Sequence, residues 1–407
     1  MTRRGACPGL ADPMPTGDGL LARLAVARAI SLDAFASLCA AAQAHGNGIL
    51  EITSRGSLQV RGLTEQSAPE FAAAVVTLDI ADAAGGRVLA NPLAGLDPHE
   101  IFDVSGVADR LREFLMESGL AAQLAPKLSI VVDGGGALHL DAISCDIRLR
   151  AEPTRAGTRF HILLASDGAT ETPFGSIAPE GAVEIVLELL RAIAAHGSTA
   201  RAHDLPALPQ SLHPAEAKRA RLPAQPIGTH RLRDGRAAIG VGLAFGHSDA
   251  ETLQKLIEEM RAAGAPSVRP APSRVLLLVG VPPTQVAQLT ASAEQLGFIT
   301  KTDDPRRRVV ACAGAPACAA AEIPTRALAP GIAAAAHFGD QTTIHVSGCA
   351  KGCAHAAPAD LTIVGVGGRC GIVPDGRAQD APVEIVAAGD LLDHIARRAA
   401  KREAAHG

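Results

Sequence analysis

The sequence predicts a mixed α/β protein built by internal duplication, two modules A and B followed by second copies A′ and B′. Three observations carry the prediction. Strand-like runs (LSIVVD, DIRLR, TIHVS, LTIVGV) alternate with helical ones (VADRLREFLMESG, VEIVLELLRAIAAHG, LLDHIARRAAKRE). Separate motifs recur at an offset close to half of the 407 residues. Four cysteines form two short clips within the last hundred residues, and only one copy of the repeat has them.

Module A (1–80) holds the pattern SLDAFASLCAAAQAHG, in which Leu32, Phe35, Leu38 and Cys39 recur at helical spacing between a Ser31 cap and a Gly46 stop. Module A′ (229–302) holds SDAETLQKLIEEMRAAG, with Ser248 read as the opening residue, Glu251 as its capping-box partner and Gly264 as the stop. The openings lie 217 residues apart and the stops 218. Each helix is followed by a strand candidate ending in glycine, ILEITSRGSLQVRG at Gly62 and SVRPAPSRVLLLVG at Gly280, again 218 apart. Modules B (81–202) and B′ (303–407) align at an offset of 214, which sets Val132, Asp133 and Gly134 opposite Val346, Ser347 and Gly348, and Asp146 opposite Asp360. Between the halves, residues 203–228 contain Pro206, Pro209, Pro214, Pro223 and Pro226 and read as an extended linker.

The length exceeds one ordinary domain and 47% hydrophobic residues can fill substantial cores. Against 38 Lys and Arg stand 42 Asp and Glu, a net charge of −4, and there is no Trp or Tyr with only 9 Phe. That composition gives no electrostatic footprint or stacking platform for nucleic acid. No run approaches the roughly 18 apolar residues of a membrane span. After Arg3 and Arg4, Asp12, Asp18, Arg23 and Arg28 break up any signal-peptide core, so the expected location is cytoplasmic.

A cytoplasmic chain keeps its thiols reduced, which argues against disulfides. Cys312 and Cys318 are spaced Cys-x5-Cys, and thirty residues on Cys349 and Cys353 are spaced Cys-x3-Cys. Four converging thiolates suit an iron–sulfur cubane. Structural zinc sites favour tighter Cys-x2-4-Cys knuckles, although zinc, or no shared role at all, stays open at this stage. Gly314, Pro316, Gly348 and Gly352 supply the turns and side-chain-free backbone such a loop needs. Under the repeat, Cys349 and Cys353 fall opposite Gly135 and His139, so only B′ can hold a cluster, while Gly134, Gly135 and Gly136 leave room in B. Cys39 and Cys145 read as ordinary buried residues, and Cys7 and Cys370 have no assigned role.

Two A–B halves with these clips in the last module resemble the sulfite and nitrite reductase superfamily. Within it, the segments RRGACPGLADPMPTGDGLLARL, HGNGILEITSRGSLQVRGL, GGRVLANPLAGLDPHE, APKLSIVVDGGG and HVSGCAKGCAHAAPADLTIVG are similar to those of the precorrin-3B synthase family of aerobic cobalamin biosynthesis. The resemblance implies paired A modules forming one shared, pseudo-twofold ferredoxin-like domain, flanked by two α/β domains. It implies a 4Fe–4S cluster on Cys312, Cys318, Cys349 and Cys353, with Cys353 nearest the tetrapyrrole. It also implies that Arg55, Arg87 and Lys127 face the macrocycle; Arg61, which like Arg55 interrupts an apolar strand pattern, joins them as a candidate. A precorrin carries many acetate and propionate groups, which guanidinium and ammonium groups would hold.

Two departures favour the synthase over a sirohaem reductase: Ser129 stands where reductases carry a second Lys, and Lys351 where they carry Asn. The implied reaction is the O2-dependent conversion of precorrin-3A to precorrin-3B, a meso-carbon hydroxylation with γ-lactone formation, fed by an external NADH- or ferredoxin-linked electron donor. A mononuclear non-haem iron is implied as well, with His99, His139 and His355 as candidate ligands and Glu100 and His345 as further candidates. No catalytic residue is assigned. The alternatives are a sirohaem-dependent sulfite or nitrite reductase and a non-catalytic iron–sulfur or zinc-binding module.

Overall fold

The computed structural model describes residues 8–81, 86–155, 157–165, 171–205, 212, 220–335 and 342–404; Cys7 lies outside these. Their strands form four five-stranded sheets. The A and A′ sheets interlock. In the first, Met14–Thr16, Gly19–Leu24, Leu58–Leu63 and Ile49–Ile52 are joined by His247–Asp249 of the other half. In the second, Gly228–Arg231, Ala237–Gly242, Val275–Val281 and Ser267–Ala271 are joined by Ile30–Ser31 of the first half. Each half thus lends its neighbour an edge strand, so neither sheet is complete alone.

The exchanged strands lead straight into the two duplicated helices, Leu32–His45 and Ala250–Ala262. Ser31 caps the first by accepting from the Ala34 N–H at 3.2 Å. The second is capped by Asp249, which accepts from Thr252 at 2.8 Å, and not by Ser248 with a Glu251 capping box as the sequence predicts. This correction puts the two caps 218 residues apart, in step with the helix stops. Leu32, Phe35, Leu38, Cys39 and Ala42 bury one face of the first helix, and Leu253, Leu256, Ile257 and Met260 one face of the second. Both faces join a single core with Val60 and Leu278; burying each large side chain is worth about 1.5–3 kcal/mol.

The strand candidates after these helices are hairpins, not single strands. Ile49–Ile52 turns at Thr53–Ser57 into Leu58–Leu63, and Ser267–Ala271 turns into Val275–Val281. Gly56 at the first tip has φ +82, and a Cβ there would lie 2.9 Å from the Ala271 carbonyl carbon; Ser273 and Arg274 at the second tip have φ +66 and +63. Such left-handed residues are what a tight hairpin demands and what the hydrophobic pattern does not register. The tips meet across the pseudo-twofold, where the Ser273 N–H donates to Ser54 O at 3.0 Å.

The B and B′ sheets share one topology. Val88–Ala90, Ile130–Asp133 and Ile147–Thr154 run parallel, then Gly157–Ala165 and Glu171–Ile177 antiparallel; Val309–Ala311, Ile344–Ser347, Ala359–Val366, Arg369–Gly376 and Glu384–Val386 repeat the order. The first parallel pair in each requires a crossover, supplied by helices Ser105–Glu117 and Thr325–Ala335. The repeat reaches single bonds. Asp146 accepts from the Ser129 N–H at 2.9 Å, and 214 residues later Asp360 accepts from Thr343 at 2.8 Å.

Pro206, Pro209 and Pro214 of the predicted linker fall outside the described residues. Its far end is tethered: Arg221 donates to Asp133 at 3.1 Å and to Ala151 O at 3.0 Å, and Ile227 is buried with Leu93 and Leu138.

Candidate cluster and substrate site

Two cysteine clips thirty residues apart come together because the strands that precede them are neighbours. Val309–Ala311 pairs in parallel with Ile344–Ser347, so Cys312 and Cys349 leave the sheet at the same, carboxyl-terminal edge, the usual place for a ligand in an open α/β sheet. The Cys312 N–H continues the ladder to Val346 O at 3.2 Å, and the Gly348 N–H donates to Cys312 Sγ at 3.1 Å. Gly348 has no room for a side chain, since a Cβ would lie 2.5 Å from Ala321 Cβ. Gly314 has φ +69, and a Cβ there would meet Thr325 Oγ1 at 2.3 Å.

The thiols fit a polynuclear core better than one metal ion. Among the described residues, the trio whose ligand atoms all lie within 4.8 Å is Asp133, His139 and Asp141, so no three cysteine sulfurs approach that closely. A tetrahedral zinc with Zn–S near 2.3 Å would draw its thiolates to roughly 3.8 Å of one another. The four are still near enough to interact, since burial and then the thiols Cys349, Cys312 and Cys318 push the Cys353 thiol up. Cys39 and Cys145 are buried and raised to about 12 and about 11 by desolvation, and Cys370 is fully enclosed in the B′ core.

Module A supports the first clip. Arg61, predicted to bind substrate, is 4% exposed and makes a two-pronged ion pair to Asp18 at 3.0 and 2.9 Å, with Glu51 at 3.5 Å. Its remaining reach goes to Ala317 O inside the Cys312–Cys318 loop. The guanidinium is therefore spent on the protein, as an anchor for the loop. Gly17 packs against the same turn, where a Cβ would come 2.2 Å from Pro316 O and 2.8 Å from Ala319 N. Gly17→Ala is expected to displace the loop and lower the iron retained on anaerobic purification, with little change in far-ultraviolet circular dichroism.

A cavity of about 1190 Å³ lies between the hairpin tips and the clips, bordered by Cys312 and Cys353. Among the described residues, seven cations and three carboxylates (Asp12, Glu51, Asp79) line it. Arg55 and Arg274 come from the two tips. Arg55 donates to Ser144 O at 2.6 Å, and Arg274 reaches Ala354 O at 3.3 Å, next to Cys353. Desolvation pushes the Arg274 guanidinium down, with Glu51 opposing. Lys127 stands exposed at the rim with no ion-pair partner among the described residues. Arg87, the other predicted substrate cation, donates to the carbonyls of Ala121, Ala125 and Leu128 at 3.1, 2.8 and 3.3 Å, and so braces the segment that presents Lys127. Arg326 pairs with Glu51. Gln59, its amide turned to donate to Glu51, accepts from Arg23 at 2.9 and 2.7 Å.

Sequence reasoning missed Arg23, Arg274 and Arg326. The dipeptide Ser-Arg, at 54–55 and again at 273–274, was the available signal for Arg274.

The candidate iron ligands do not assemble. His99, exposed, lies on a turn whose N–H donates to Asp97 at 2.8 Å, and the buried Glu100 is held by the Gly95 N–H at 3.0 Å and by Arg233 at 2.9 Å. His139 meets Leu222 O at 2.7 Å, and the carboxylates beside it are claimed by cations, Asp133 by Arg221 at 3.1 Å and Asp141 by Arg150 at 3.4 Å. His355 stacks edge-on to His345 at 5.7 Å. His345 is fully buried, with neither ring nitrogen hydrogen-bonded, and desolvation, then His355 and Arg274, push it down to about 4. None of His99, His139 and His355 lines the cavity, so the three do not fit a shared iron site.

Residues 12–77 match the nitrite/sulfite reductase ferredoxin-like half domain. The Mycobacterium tuberculosis NirA protein shares the architecture, with TM-score 0.76 over 93% of this chain and 80% of that one at 18% identity. Interlocked A sheets, twin B sheets and a cysteine-bordered cavity are thus a nitrite/sulfite reductase fold. A ferredoxin–nitrite reductase of Synechococcus elongatus is 23% identical over 78% of this chain and 70% of its own length. A precorrin-3B synthase of Sinorhizobium sp. is 38% identical over 389 residues, 93% of this chain and 84% of that protein. The chain belongs to the precorrin-3B synthase family and is an enzyme. Among the described residues no helix is long and apolar enough to cross a membrane.

Proposed function

We propose that the chain is the O2-dependent monooxygenase of aerobic cobalamin biosynthesis that converts precorrin-3A to precorrin-3B. The observation that carries this reading is the cavity of about 1190 Å³, lined by seven cations and three carboxylates and bordered by Cys312 and Cys353. It exceeds the roughly 300–1,000 Å³ of ordinary small-molecule sites, and Arg55, Arg274 and Lys127 on its walls suit the carboxylates of a large polyanion. One oxygen atom of O2 enters the meso carbon between rings D and A and the other leaves as water, with two electrons and two protons from an external donor. The ring A acetate closes the lactone with its own oxygen.

Arg55 and Arg274, on symmetry-related tips, grip carboxylates from one side, and Lys127 closes on them from the rim. Arg274 also holds the Ala354 carbonyl, so the same side chain touches both the substrate cavity and the second cysteine clip. Cys312, Cys318, Cys349 and Cys353 would hold a 4Fe–4S cluster, which when bound supplies single electrons to chemistry that triplet O2 cannot otherwise begin with a closed-shell substrate. Arg61 keeps the first clip in place.

An absorption spectrum of anaerobically purified protein tests this. A broad brown shoulder is expected; sharp intense bands would mean sirohaem and a reductase, and no colour would mean zinc or no metal. Arg55→Ala is expected to weaken anaerobic precorrin-3A binding by about 1.5–3 kcal/mol, the range of a hydrogen bond to a charged group, without loss of iron. Unchanged affinity in a titration would remove Arg55 from the site.

A further inference from the structure

Beside the main cavity lies a smaller one of about 60 Å³, and the two share Ala25, Arg55, Ser57 and Gly86 as walls. A water needs roughly 15 Å³ of such space, so the side cavity has room for a methylene and a carboxylate. Three modules each send it one arginine: Arg55 from the A hairpin tip, Arg112 from helix Ser105–Glu117 of B, and Arg269 from strand Ser267–Ala271 of A′. Apart from Ser57 the other walls are apolar, among them Val88, Leu89 and Leu140, and among the described residues no carboxylate lines it.

The nearest countercharge is already occupied. Asp109 accepts from Arg112 at 2.9 Å and from Arg28 at 3.0 Å. Among the described residues Arg269 makes no ion pair; it donates to Ala27 O at 2.9 Å. Burial, and then Arg112, push its guanidinium down to about 10, with Asp109 acting against them. Holding a cation there without an anionic partner disfavours the empty protein, and an anion entering from the main cavity would relieve it.

We propose that this side cavity is a carboxylate subsite that receives one acetate or propionate arm of the tetrapyrrole, held by Arg269, with Arg112, itself bonded to Asp109 and to Val88 O at 3.0 Å, adding positive charge beside it and Arg55 lining the wall shared with the main cavity. The assignment rests on the precorrin reading above and adds to it a fixed orientation, because only an arm reaching this corner can fill the pocket. An arginine recruited for a ligand has a distinctive signature. Its removal weakens binding while leaving the empty protein no less stable.

The test uses the full chain under strict exclusion of oxygen, so that precorrin-3A binds without turnover, and compares the wild type with Arg269→Met and with Ala90→Leu. The second variant adds bulk at another lining residue of the pocket and leaves all three arginines. Both variants are expected to bind precorrin-3A at least tenfold more weakly. Arg269→Met is expected to melt, when empty, no lower than the wild type, and to lose most of the stabilisation that saturating precorrin-3A confers. Wild-type binding with both variants within twofold of it would overturn the subsite and leave the main reading standing. An Arg269→Met protein that melts much lower when empty, with Ala90→Leu binding normally, would make Arg269 a structural residue and overturn it too. A wild type that does not bind precorrin-3A would overturn both.

Discussion

Cys349→Ala is expected to purify without iron or inorganic sulfide and without the visible absorbance of the wild type. Each cubane iron takes one cysteine, and among the described residues no other cysteine lines the cavity that Cys312 and Cys353 border. The same loss is expected for Cys312, Cys318 and Cys353. Cys39→Ala and Cys145→Ala are expected to keep full iron, since both thiols are buried and desolvation holds them protonated. Iron and sulfide assays on the six variants check this, and full iron and sulfide in Cys349→Ala would sink the four-ligand assignment.

Arg61→Ala is expected to have the largest effect on stability of any single substitution at the site. It leaves Asp18, 16% exposed, and Glu51, 12% exposed, without their shared guanidinium. Breaking a buried pair from one side costs about 3–5 kcal/mol. The loss depends on pH in a definite direction. Burial alone would raise the Asp18 pKa, but the bonds from Arg61 and Thr16 outweigh it and hold the carboxyl below its ordinary 3.8. A carboxyl depressed in the folded state contributes its stability fully above 3.8 and loses it as pH falls through the lower folded value. Urea unfolding is therefore expected to separate Arg61→Ala widely from the wild type at neutral pH, with the gap closing below pH 3.8. Loss of iron should follow at neutral pH, because the Ala317 carbonyl in the clip loses its anchor. A variant as stable as the wild type at pH 7 would show that Arg61 is dispensable to the frame.

The duplication was legible because it left its mark on local chemistry. The Ser31 cap, the Gly46 and Gly264 stops and the Asp146 and Asp360 pair are short-range devices that a one-dimensional offset preserves. Asp249 was misread because Ser248, Asp249 and Glu251 all suit a helix start, and only the backbone decides among them. The hairpins were hidden because their turns depend on positive φ at Gly56, Ser273 and Arg274, and only the first is a glycine. That one error misplaced Arg55 within a strand and concealed Arg274 altogether.

Charge was the other blind spot. Arg61 and Arg87 look identical to Arg55 in a sequence, but Asp18 and three backbone carbonyls from distant segments occupy them. The iron candidates illustrate a related point: His99, His139 and His355 lie in separate places and none lines the main cavity, which spacing in the sequence does not reveal. The convergence of the two cysteine clips was readable because their spacing and flanking glycines are local, and the structure brings Cys312 and Cys349 to one sheet edge.

The most direct test of the proposed reaction is oxygen labelling. Enzyme, precorrin-3A and an electron donor are incubated under 18O2, and the product is analysed by mass spectrometry. One 18O atom is expected in the new hydroxyl, with the lactone oxygens unlabelled because they come from the substrate's own acetate. Product formed without O2, or carrying its new oxygen from water, would contradict the monooxygenase account.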